Sequence, residues 1–165
     1  MKPIRLATLC VALGLAAVFN SNSYAQTASD NAGNYSGVWT NGVNGGTGFG
    51  PWAISSGNGT GAAGNFIGDP TAAGITGFGT QAFGLYANPS GSGAYVSIDR
   101  SLTNSLSAGQ TFELKWAVNY DADGGNKGFN LFSGGPGNNE ILNVNQGGFP
   151  GDITINGTNT GMRVS

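Results

Sequence analysis

Beyond residue 25 no stretch of this chain spaces its apolar side chains three and four apart, as an amphipathic helix of ordinary length requires. The apolar residues come instead in short bursts of period two. The longest is Thr111–Tyr120, where Phe112, Leu114, Trp116, Val118 and Tyr120 share one parity and Thr111, Glu113, Lys115, Ala117 and Asn119 the other. Side chains alternate faces along a strand, so this pattern predicts one buried and one wet face. Ala94–Arg100 repeats it, with Ala94, Val96 and Ile98 inward and Tyr95, Ser97 and Asp99 outward. Further short strands are expected at Pro51–Ser55, Asn65–Gly68, Ala82–Asn88, Gly128–Ser133, Glu140–Asn145 and Asp152–Asn156. Turn formers fill the gaps at Ser56–Gly64, Pro89–Gly93, Asp121–Lys127, Gly134–Asn139 and Gln146–Gly151. The nearest approach to a helix is Ser101–Ser107, where Leu102 and Leu106 could share one turn. Strands at such short spacing without helices predict an all-β fold, an antiparallel β-sandwich or jelly roll of about eight to ten short strands.

The first 25 residues read as a cleaved export signal. Lys2 and Arg5 precede the apolar run Leu6–Phe19, and Ser23-Tyr24-Ala25 sets small residues at the −3 and −1 positions for cleavage before Gln26. The apolar run falls short of the ~20 residues that span a bilayer. The mature chain, 26–165, is therefore expected to be one secreted domain without a membrane span. Cys10 leaves with the signal and the chain has no His. That excludes Cys–His and Ser–His–Asp nucleophiles, zinc sites built from those ligands, and disulfides. Four basic groups then face eight acidic ones, which leaves no cationic face for nucleic acid. Leu, Ile, Val and Phe make up about a fifth of the mature chain, near the composition of disordered proteins. Disorder, however, pairs low hydrophobicity with high charge, and charge here is sparse. A last alternation starts at Met162 and stops at Ser165. The expectation is either a C-terminally truncated product or a short edge strand, and an open edge favours self-association.

Gly59-Thr60-Gly61-Ala62-Ala63-Gly64 matches G-x-G-x-x-G, but Asn65–Gly68 reads as a strand where a dinucleotide site needs a helix. Asp121-Ala122-Asp123-Gly124-Gly125-Asn126 is the densest group of hard oxygens. It reads as an Asp/Gly hairpin turn, or as a calcium loop with Asp121, Asp123 and Asn126 as ligands. No cofactor other than calcium is suggested. Glycoside hydrolysis needs paired carboxylates, and no run sets acids at alternate positions of one strand; Glu113 has Lys115 as its same-face neighbour. Trp116 shares its parity with four large apolar side chains and reads as core. Trp39 and Trp52 flank the glycine-rich Thr40–Gly50. With Tyr35 they either cap one end of the fold or form a ligand platform, and outward Tyr95 is a lesser binding candidate. Asn34-Tyr35-Ser36, Asn58-Gly59-Thr60 and Asn156-Gly157-Thr158 are sequons that read as turns.

The run Asp30-Asn31-Ala32-Gly33-Asn34-Tyr35-Ser36-Gly37-Val38-Trp39-Thr40-Asn41-Gly42, continued by Val43–Trp52, resembles the opening of a group of secreted bacterial proteins. Many of these carry a C-terminal sorting anchor of the PEP-CTERM type. Ala82–Asn88 and Leu106–Phe112 are similar to the same group. The resemblance implies an extracellular Gly/Asn-rich β-sandwich of the concanavalin-like jelly-roll kind, and it brings no catalytic residues. The expected function is a non-enzymatic surface module that binds neutral glycans or serves as a matrix component, with polysaccharide or extracellular matrix as partner. Sparse charge and abundant amides and hydroxyls suit neutral polysaccharide. The alternative is a fragment or non-catalytic part of a concanavalin-like glycoside hydrolase.

Overall fold

The computed structural model describes residues 28–88, 91–119, 125–147 and 152–163. The expected export signal lies outside them, as do Asp121 and Asp123. Eight strands occur among the described residues: β1 (Ala53–Gly57), β2 (Ala62–Gly68), β3 (Ala82–Asn88), β4 (Tyr95–Asp99), β5 (Lys127–Ser133), β6 (Asn139–Gln146), β7 (Asp152–Ile155) and β8 (Thr158–Arg163). The fold is all-β, in small antiparallel sheets: β1 pairs with β4, β2 with β3, and β5-β6-β7-β8 form a four-stranded sheet. Single 3-10 turns at Ala32–Asn34 and Pro70–Ala73 are the only helical elements described. No described helix is long and apolar enough to cross a membrane.

The first four strands are nested. β2 and β3 pair from Gly68↔Ala82 to Ala62↔Asn88, and β1 and β4 pair from Gly57↔Tyr95 to Ala53↔Asp99. An isolated bridge, Phe49↔Leu102, and the bonds Gly50 N to Ser101 O (2.8 Å) and Thr103 N to Gly48 O (3.0 Å) continue the pairing outward. Residues 48–68 with 82–88 and 91–103 thus follow one two-stranded ribbon, whose register changes by one residue between Phe49↔Leu102 and Ala53↔Asp99 and which is interrupted, with a shift of two, between Gly57↔Tyr95 and Ala62↔Asn88. At that interruption Gly59 has φ +55°, and a Cβ there would run into the backbone of Ser92, Gly93 and Ala94. Bare backbone is what lets the two segments approach so closely there. Gly59→Ala is accordingly expected to destabilise by about 2–3 kcal/mol, from the left-handed conformation and the backbone clash together. An unchanged urea midpoint would show that the position tolerates a side chain.

Along the outer ladder the alternation holds: Ile54, Val96 and Ile98 are half-buried, while Ser55, Tyr95 and Ser97 face out. The inner ladder begins earlier than its apolar residues suggest, at Ala62 rather than Asn65, because the turn occupies only 58–61. The largest departure is Thr111–Tyr120. Residues 111–119 join no described ladder and Tyr120 lies outside the described residues. Phe112, Trp116 and Val118 are half-buried, as their parity predicts, but Leu114 is exposed. The segment is held through side chains: the Trp116 ring meets Phe129 of β5 edge-on at 6.2 Å, and Lys115 Nζ donates to the Gly77 carbonyl at 3.3 Å. Alternation reports which side chains are buried; hydrogen-bonded pairing also needs a free neighbouring edge, which no local pattern encodes. In the four-stranded sheet the register slips between Leu131 and Phe132, which leaves Ile141 of β6 unpaired and exposed.

Candidate functional site

The aromatic residues fall into two groups, one enclosed and one open. The enclosed group holds three of the four expected ligand-binding residues. Tyr35 and Trp39 are only 5% and 4% exposed. Trp39 packs on Phe83 of β3 at 4.5 Å and meets Trp52 edge-on at 5.3 Å, while Tyr35 meets Phe83 edge-on at 5.3 Å. Such tilted and edge-on contacts add about 0.5–1.5 kcal/mol per pair beyond burial. Tyr35 and Trp39 are thus enclosed by neighbouring rings. Half-buried Trp52 is turned inward by the bond from its Nε1–H to Tyr35 Oη, 2.7 Å. The Trp39 Nε1–H is buried with no acceptor among the described residues. That costs about 1–3 kcal/mol, which the ring packing has to offset.

Beside these rings lies a buried ion pair between Asp30 and Arg100, whose side chains are 8% and 5% exposed. Tyr35 donates to Asp30 Oδ2 at 2.7 Å, and Asn34 Nδ2 and the Asn31 amide bond Oδ1 at 2.9 Å. Arg100 donates from Nε to the Gly50 carbonyl at 2.7 Å and from Nη2 to Asn44, and its guanidinium sits over Phe49 and Trp52 at 4.7 and 4.8 Å. Every partner that a buried pair needs is thus supplied. Two glycines of the Thr40–Gly50 stretch are required by this packing. A Cβ at Gly45 would meet the Asn34 carbonyl at 2.7 Å, and one at Gly46 would meet Asp30 Cβ at 2.6 Å. The assembly fastens residues 28–52 onto the ribbon.

The open group lies on the ribbon itself. Tyr95, the fourth expected residue, is 52% exposed and stands opposite Gly57; a Cβ at Gly57 would come within 2.6 Å of its ring. Two rings that sequence reasoning passed over repeat the arrangement. Phe66 stands opposite Gly84, and Tyr86 opposite Gly64. A Cβ at Gly84 or Gly68 would strike the Phe66 ring, and one at Gly64 would lie 2.9 Å from Tyr86 Oη. Each ring therefore reaches over its cross-strand glycine, and the planes of Phe66 and Tyr86 are inclined at 46° to one another. Phe66 and Tyr86 share one face, with centroids 6.3 Å apart, and remain 49% and 40% exposed. The remaining residues of that face are Ala62, Gly64, Gly68, Ala82, Gly84 and Asn88. Neither β2 nor β3 contains Asp, Glu, Lys or Arg.

Two shallow clefts flank Phe78. One, of about 120 Å³, is lined by Pro70, Ile75, Phe83, Lys115, Trp116 and neighbouring alanines. The other, of about 320 Å³, is lined by Asn31, Gly33, Gly79, Thr80 and Gln81. The first is below the roughly 300 Å³ at which small-molecule sites begin. No carboxylate lines either cleft. Near the first, the Thr71 hydroxyl and amide bond Asp69 and hold its carboxyl below the usual range. Of the expected calcium ligands only Asn126 is described, and it is exposed. No protein-family model matches the chain, nor does a curated protein or a solved structure.

Proposed function

We propose that this chain is a secreted, non-enzymatic module of the β-sandwich or jelly-roll kind that binds neutral glycans at the solvent face of its β-ribbon. The observation that carries the reading is the set of exposed rings laid over cross-strand glycines, Phe66 on Gly84, Tyr86 on Gly64 and Tyr95 on Gly57. An exposed ring over a glycine leaves a π-face open to the C–H face of a sugar, and the sugar's hydroxyls suit nearby amide and hydroxyl groups. The jelly-roll assignment draws on the nested pairing of β1–β4 around β2–β3, since a folded two-stranded ribbon is how such sandwiches are wound. The non-enzymatic assignment draws on the sequence, where no run sets acids at alternate positions of one strand as glycoside hydrolysis favours. Secretion draws on the export signal expected at residues 1–25.

The test is binding of the purified chain to a panel of neutral and charged glycans, with and without calcium. Binding to neutral glycans is expected, weakened about tenfold by Tyr95→Ala or Tyr86→Ala, which corresponds to about 1.4 kcal/mol of lost stacking. Trp39→Ala should leave the affinity of the folded fraction unchanged. A folded chain that bound no glycan would overturn the proposal.

A further inference from the structure

Residues 111–119 carry the clearest strand alternation in the chain, yet their backbone makes no hydrogen bond among the described residues. A strand-forming segment whose amides and carbonyls are left unpaired is a template for another strand. We infer that it pairs antiparallel with the same segment of a second copy, about a two-fold axis at Leu114, and that the chain forms a symmetric dimer in this way. Three features select a second copy as the partner. The first is charge. Glu113 and Lys115 are exposed and flank Leu114. The two-fold register sets Glu113 of each copy opposite Lys115 of the other, and opposite charges directly across a ladder stabilise it. A slip of two residues in either direction sets Glu113 against Glu113 or Lys115 against Lys115, and parallel in-register pairing does both. The charges thus fix orientation and register together. Lys115 Nζ donates to the Gly77 carbonyl at 3.3 Å and has donors to spare for the carboxylate. The second feature is ring pairing. The same register sets Phe112 of each copy opposite Trp116 of the other, an aromatic cross-strand pair, and both side chains are only half-buried within one chain. The third is Leu114 itself. Its parity places it inward with Phe112 and Trp116, but within one chain it is 48% exposed. On the axis it meets its own counterpart and is covered, as a self-complementary interface requires.

The test is analytical ultracentrifugation of the purified chain over a concentration series, at low and high salt. A monomer–dimer equilibrium that weakens with salt is expected. Glu113→Lys and Lys115→Glu each set two like-charge pairs about the axis and should weaken dimerisation at least about tenfold. Circular dichroism should not change, because both side chains are exposed. Mixing the two variants restores both opposite pairs and should yield a heterodimer. The exchange Glu113→Lys/Lys115→Glu should dimerise like the unsubstituted chain. Hydrogen exchange should find the amides of 111–119 protected at high concentration and unprotected on dilution. A chain that stayed monomeric throughout the series would overturn the inference. A dimer indifferent to both single reversals would do so too, because it would lie on another surface. Protection of 111–119 that persisted in the monomer would mean that another segment of the same chain occupies the edge, and would also overturn it. The glycan-binding reading rests on other residues and stands or falls separately.

Discussion

Arg100→Met is expected to lower the unfolding free energy by about 3–5 kcal/mol, read as a drop in urea midpoint at constant slope. The size follows from what stays behind. Asp30 is 8% exposed, and without the guanidinium it remains a buried carboxylate with only Tyr35, Asn34 and one backbone amide to stabilise it. Gly50 and Asn44 lose their donor at the same moment, and Phe49 and Trp52 lose the flat cation over their rings. Asp30→Asn should cost less than Arg100→Met, because an amide keeps hydrogen-bonding capacity without a charge. The double variant should fall short of the sum of the two, since no uncompensated charge then remains. Strict additivity would mean that the pair is solvated and not enclosed.

Trp39→Ala should cost a similar amount, about 3–5 kcal/mol, through a different route. Its ring touches both Trp52 and Phe83 and is 4% exposed, so truncation opens a void among rigid rings that cannot collapse to fill it. Single domains have about 5–15 kcal/mol in total, so a sizeable unfolded population is expected at room temperature. Near-UV circular dichroism should lose intensity as the Trp39–Trp52 contact goes. Full stability in this variant would place Trp39 at the surface and reopen the ligand-platform reading of that end of the fold. A stable variant that lost glycan binding would do the same.

The all-β class and most strand positions were legible because they rest on local chemistry. Val96 and Ile98 against Tyr95 and Ser97 is a period-two signal, and Ala82–Asn88 was bounded at its C-terminal end by the turn formers Pro89–Gly93. Thr111–Tyr120 carried the clearest alternation and joins no described ladder. Its parity reported burial at Phe112, Trp116 and Val118, while pairing depends on which strand edges the rest of the chain leaves open. Trp39 and Trp52 were read in isolation among glycines. Their partner Phe83 lies 44 and 31 residues away, and a contact of that range leaves no trace in one sequence. The Asp30–Arg100 pair, 70 residues apart, is invisible for the same reason. The open rings had a usable signal. Gly64-Asn65-Phe66 and Gly84-Leu85-Tyr86 each set a glycine and a ring two apart, hence on one face. Glycine was read there only as punctuation, although across a strand it is also a bed for a ring.

The nested ribbon also sets an order of events when the chain folds. Gly68 and Ala82 are joined by residues 69–81, and once they pair, each further step toward Ala62↔Asn88 brings together residues that their neighbours already hold close. Loop-closure entropy is met once, at the tip, and the pairing then zips past the break at Gly59 to Phe49↔Leu102. Contacts that look distant along the sequence are in this way reached by local moves, and a ribbon of this kind should fold faster than its contact order suggests. The clasp between Asp30 and Arg100 can close only after Arg100 is in position at the far end of the ribbon, so it forms last and acts as a lock on a structure already zipped. Pulling on the N-terminus would meet that lock first, and the extension trace should show one high-force event followed by low-force unzipping toward the tip.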